Sequence, residues 1–146
     1  MRYMIISLLL VLGCSSFNHK DPELMPYLTE FFNIAGVEIF NETYSIEFSK
    51  LDDGVVGLCF PVLKKIYIDP KFWNRVSEIQ RQSLLYHEGM HCFCGELNHN
   101  NENRNDGCSV SLMHEKQNSL KCLEKYWGYY LIDMQERCEE YGRSNN

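Results

Sequence analysis

EIQRQSLLYHEGMHCF, Glu78 to Phe93, decides how the rest of the chain is read. The stretch has no Pro and is rich in helix formers, and Ser77 with Gln80 three residues on makes a capping-box signature ahead of it. It predicts one helix, with Gly95 just beyond as a stop. Inside it stands His87-Glu88-Gly89-Met90-His91. Helical residues four apart lie one above the other, about 6 Å along the axis, so both imidazoles can reach one metal ion. Glu88 lies about 100° around the helix from His87, where its carboxylate stands beside the metal without binding it and can take a proton from an attacking water. Zn2+ suits this donor set, since it lowers the pKa of water to about 7 and polarises a carbonyl. Shuffling the chain's own His and Glu yields the motif on the order of 2% of the time, so context has to decide.

Outward from that helix, the preceding half reads as mixed. Asp21-Pro22 offers a cap followed by Pro at the first helical position, and Leu24, Leu28, Phe31, Phe32 and Ala35 recur at helical spacing up to Gly36, predicting a helix over 22–35. Tyr44, Ile46 and Phe48 alternate, Val55 to Phe60 is an apolar run, and Ile66 and Ile68 alternate before Asp69-Pro70. These are three expected strands, divided by Asp52-Asp53-Gly54 and Pro61, and 37–41 is a candidate fourth. Downstream, 98–108 carries five Asn and Asp106-Gly107 and reads as a loop. From 116 to about 141 the chain is again helical in character, with Leu120, Leu123, Tyr126, Trp127 and Tyr130 as an apolar stripe that is read as core. The order of elements predicts an α+β fold with a small mixed sheet.

The 146 residues suit one domain, 21–146, burying roughly two-thirds of the unfolded surface. A formal charge of −6 gives no electrostatic drive toward phosphate backbones, which argues against nucleic acid as a partner. No Gly-rich phosphate loop or Gly-x-Ser-x-Gly elbow competes with the histidine motif, and Asp52-Asp53 is a turn rather than a catalytic pair.

At the N-terminus, Arg2 precedes an apolar run from Tyr3 to Leu12, too short to span a bilayer but suited to a signal peptide over 1–13. Val11-Leu12-Gly13-Cys14 resembles the bacterial lipobox, which implies lipid on Cys14, a tether over 14–20 and, with Ser15 following, residence at the outer membrane of the cell envelope. Removing Cys14 from the seven cysteines leaves Cys59, Cys92, Cys94, Cys108, Cys122 and Cys138, an even set that fits an oxidising compartment. Their pairing has 15 possibilities, although Cys122 and Cys138 would be about 24 Å apart on one helix and so are not partners.

His87-Glu88-x-x-His91, then Gly95, His99 and Ser111-Leu112-Met113, resembles a metzincin: zinc helix, glycine turn, third histidine, Met-turn. Phe72-Trp73-Asn74, the Gln80 to Cys92 helix and the Cys108 to Met113 segment are similar to small, matrixin-like bacterial metallopeptidases, over most of 21–115. The resemblance implies zinc on His87, His91 and His99, Glu88 as general base, Met113 as a packing floor, a Cys92–Cys108 clamp on the loop, and a monomer acting on peptide or protein substrates. The spacing departs from the metzincin pattern: Gly95 is eight residues after His87 rather than seven, and His99 twelve rather than ten. Glu102, Asp106, His114, Glu115 and Cys94 therefore stand as competing third ligands. The alternative function is a noncatalytic metal-binding or disulfide-stabilised surface lipoprotein that binds a partner.

Overall fold

A computed structural model describes residues 18–39 and 43–145. The signal, lipobox and Cys14 readings lie outside these residues, as do 40–41 of the candidate fourth strand, whose 37–39 part is irregular. No helix among the described residues is long and apolar enough to cross a membrane.

The first helix, α1, runs Met25–Ala35 and turns Leu28, Phe31, Phe32 and Ala35 into the core. It starts three residues later than Asp21-Pro22 suggested. Asp21 instead closes a turn, its carbonyl accepting from Leu24 and Met25, and a second proline, Pro26, occupies the first helical turn. Three short strands follow: β1 Ser45–Phe48, β2 Gly57–Phe60 and β3 Lys65–Ile68. They form one mixed sheet in the order β1-β3-β2, with β1 parallel and β2 antiparallel to β3. Ile46, Ile66 and Ile68 are fully buried, as the alternating pattern requires.

Asp69-Pro70, read as the end of a strand, also begins a one-turn helix, α2, Pro70–Trp73. Asp69 Oδ1 accepts from the amides of Lys71 (2.8 Å) and Phe72 (3.0 Å), and these bonds hold its carboxyl below the usual range. Trp73 is buried edge-on to Tyr27 and donates its indole N–H to Glu23 at 2.7 Å.

The motif helix, α3, spans Glu78–Phe93, and Gln80 Oε1 accepts from the Ser77 amide to complete the expected cap. It lies between the sheet and the other helices, packing on α1, β2 and β3. The last helix, α4, runs Leu120–Ser144 and packs on α1 and α3. Ser119 caps it, accepting from the Cys122 amide, which fixes its start four residues after the predicted one. Its core face is Cys122, Leu123, Tyr130, Met134 and Cys138; Leu120, assigned to that stripe, faces solvent.

Three disulfides join these parts: Cys59–Cys92, Cys94–Cys138 and Cys108–Cys122. Cys92 and Cys108 are both bridged, but not to each other. Cys92, near the end of α3, faces β2, whereas the loop carrying Cys108 lies on the start of α4. Their separations of 33, 44 and 14 residues give about 3 to 4 kcal/mol each in the chain-entropy account.

Candidate metal centre

Burial selects the reactive face of α3. His87 and Glu88 are buried and His91 is half-buried, so these side chains point inward on a helix whose first turn is half exposed. His99 joins them from the loop beyond Gly95. Its Nε2 lies 3.2 Å from Nε2 of His91, which is 3.1 Å from Nε2 of His87. His87, His91 and His99 form the one group of three His, Cys, Asp or Glu ligand atoms among the described residues that could hold a metal ion.

Two backbone carbonyls fix the tautomers. Nδ1–H of His87 donates to the Leu112 carbonyl at 2.7 Å, and Nδ1–H of His91 donates to the Glu96 carbonyl in a short bond. A neutral ring that gives its proton at Nδ1 presents a lone pair at Nε2, and both of these lone pairs face the cluster's centre. Burial pushes the His87 imidazole down to about 4 and lowers that of His91, so both lone pairs are free of protons at neutral pH. Converging lone pairs repel unless a cation lies between them. Tetrahedral zinc at about 2.0–2.1 Å from each nitrogen would place neighbouring ligand atoms about 3.3 Å apart, close to the observed spacing.

The chain reaches this arrangement by pinning the loop that carries His99 at both ends. Gly95, at φ +67°, turns the chain out of α3, and Cys94 and Glu96 both return amides to the Met90 carbonyl. Past His99, the Asn100 amide donates to the Met113 carbonyl at 2.8 Å. Of the two residues added relative to the metzincin pattern, one falls at the end of α3 before Gly95 and the other between Gly95 and His99, where Leu97 points into solvent.

The other third-ligand candidates have different partners. Asp106 accepts from Lys125 and Tyr126, both at 2.7 Å, contacts that hold its carboxyl far below the usual range and fasten the loop to α4. Cys94 is in a disulfide, His114 Nδ1 accepts from the Lys116 amide at 3.1 Å, and Glu102 is exposed and outside the cluster. Glu115 lines the surrounding cleft without joining the cluster.

Met113 is fully buried, and its amide donates to Ser111 Oγ. The segment's contact with the centre is the Leu112 carbonyl on His87. As a backbone group it has no side-chain signature.

Glu88 has no hydrogen-bond partner among the described residues, and burial pushes its carboxyl up to about 8; a nearby cation would draw it back down. Its neighbour across the cleft is Gly57 on β2, where a Cβ would fall 2.5 Å from Glu88 Oε1. Sequence reading passed over Gly57, although a glycine inside a strand pattern signals the close approach of another group. The cleft itself, about 500 Å³, is walled by 54–59 on one side and by Glu115 and Gln117 on the other, with the three histidines and Glu88 among its lining residues. β2 is the edge of the sheet on the cleft side, and β3 is the central strand, with a partner on each side. No family model, curated protein or solved structure matches this chain, so the chemistry of the site rests on its own residues.

Proposed function

We propose that the protein is a zinc-dependent peptidase of metzincin-like design, exported and held at the bacterial cell envelope by lipid on Cys14. The observation that carries the reading is the convergence of three Nε2 atoms, two of them with tautomers fixed by backbone carbonyls, beside an unpartnered Glu88. His87, His91 and His99 hold the ion, which when bound supplies Lewis-acid polarisation of the scissile carbonyl and an acidified water. β2 offers its open edge to an extended peptide, whose main chain adds to the sheet as a further strand. Glu88 accepts the proton of the attacking water and delivers it to the leaving amine, and the wall of the cleft at Gly57 keeps the carboxylate in place. The test is hydrolysis of an internally quenched peptide library that stops on chelation and returns with zinc; bound zinc with no turnover across the library supports the noncatalytic lipoprotein.

Gly57→Ala should lower kcat on the order of 10²-fold with zinc content unchanged, because the added methyl displaces the Glu88 carboxylate by about an ångström. Metal analysis beside kinetics checks this, and a variant as active as wild type would show that Glu88 has room to move.

Cys14→Ser should remove radiolabelled fatty acid from the protein and shift it out of the detergent-extracted membrane fraction, because two or more acyl chains anchor where one is marginal. Absence of label in the wild type sinks the anchor.

A further inference from the structure

The β2–β3 turn, Pro61 to Lys64, carries two aliphatic side chains into water, with Val62 96% and Leu63 57% exposed. Phe60, Leu97 and Tyr141 are exposed beside it, and Val62, Leu97 and Tyr141 line a common open groove. Half of the ten large exposed hydrophobic residues among those described thus belong to one end of the molecule. Scattered apolar residues are ordinary on a surface, but a gathered set marks a contact.

The backbone also brings the start of the described chain to that end. Lys20 bridges Ile46 in parallel, the Ile46 amide donates to the His19 carbonyl, and the Ser45 amide donates to the Lys64 carbonyl. Residues 18–20 therefore run alongside β1, itself parallel to β3, and Asn18 lies at the end of the sheet where the turn protrudes. Two strand spacings, about 10 Å, separate that segment from β3. Cys14 is four residues ahead of Asn18, a reach of at most about 14 Å.

From this coincidence we propose that the turn Pro61–Lys64, with Phe60, Leu97 and Tyr141 around it, is a docking surface for the lipid bilayer. The placement rests on the Cys14 anchor proposed above; the peptidase reading is not needed for it. A tether that short brings the end of the fold carrying the turn against the membrane. The charges there suit headgroups: Lys20 stands 3.9 Å over the Tyr44 ring, Lys64 6.0 Å over Phe93, and Lys65 pairs with Glu47, with Glu38 on the groove as a further acidic group. Val62 and Leu63 enter the acyl boundary while the lysines stay in the interface. Docked this way, the cleft along β2 has its Phe60 end at the membrane and its Gly57 end away from it.

The test uses the full chain from bacterial membranes, reconstituted in vesicles of phosphatidylethanolamine with phosphatidylglycerol, with and without bromine on the acyl chains, at saturating lipid. Val62→Trp and Leu63→Trp should each lose roughly half their added emission to the brominated lipid, as expected for a side chain about 5–10 Å into the bilayer. Leu120→Trp, about 30 Å along α4 from Tyr141, should lose none, and wild type sets the baseline. Unquenched emission at both 62 and 63 overturns the proposal, and so does equal quenching at 120. A covalently trappable dimer with 62 shielded but unquenched also overturns it and assigns the patch to a second copy. Failure of the anchor is read separately, by the mass of the acylated N-terminus. The quenching outcome stands whichever way that measurement falls.

Discussion

Glu88→Gln should bind one zinc per chain as wild type does and lose at least about 10²-fold in kcat/KM, within the range a positioned general base contributes. Gln fills the space of Glu, so the contact with Gly57 and the burial around it are kept. It cannot take a proton from water at neutral pH. The two helical ligands lie one residue before and three after, with tautomers fixed by Leu112 and Glu96 rather than by Glu88, and His99 lies on the loop beyond, so metal content separates loss of the base from loss of the site. The measurement is paired metal analysis and peptide cleavage on the same preparation. Activity retained by the variant would reject the role given to Glu88.

His99→Ala should weaken zinc binding on the order of 10²- to 10³-fold and abolish hydrolysis. Binding energies of about 10–16 kcal/mol over four ligands in structural sites come to roughly 2.5–4 kcal/mol per ligand, close to that factor. His99 is exposed, so its truncation opens no cavity, and circular dichroism should be unchanged. Substitutions of Glu102, Asp106, His114 and Glu115 should alter zinc affinity far less; Asp106→Ala acts through the loop it ties to Lys125 and Tyr126. A His99 variant that holds zinc as tightly as wild type, beside a His114 or Glu115 variant that does not, would move the third ligand elsewhere.

The motif helix was legible because its cap, its period and its histidine spacing are all local, and local patterns survive folding unchanged. Its bounds, Glu78 to Phe93, agree with the structure. The three strands were legible for the same reason. The two Asp-Pro pairs show the limit. Asp69-Pro70 caps a helix and Asp21-Pro22 only closes a turn, because which of two nearby prolines enters the helix depends on how Leu24 and Leu28 meet the core. The disulfides were not legible. Cys92 and Cys94 are two residues apart yet bond to β2 and to α4, a choice made by which side of the helix end each thiol leaves from. His99 could be suspected from its residue type, but the carbonyls of Leu112 and Glu96 that orient its partners belong to the main chain and leave no trace in composition.

Cys92 and Cys94 bracket Phe93 at the end of α3 and are tied in different directions, one to the strand that walls the cleft and the other to the long C-terminal helix. The stretch from His91 to Glu96 is therefore suspended between two covalent stays before any ion arrives. Closing the bridges and holding an ion are therefore separable: with Cys59–Cys92 and Cys94–Cys138 formed, the histidines stand as a finished socket. An ion bound in such a socket can leave and be replaced without the chain coming apart.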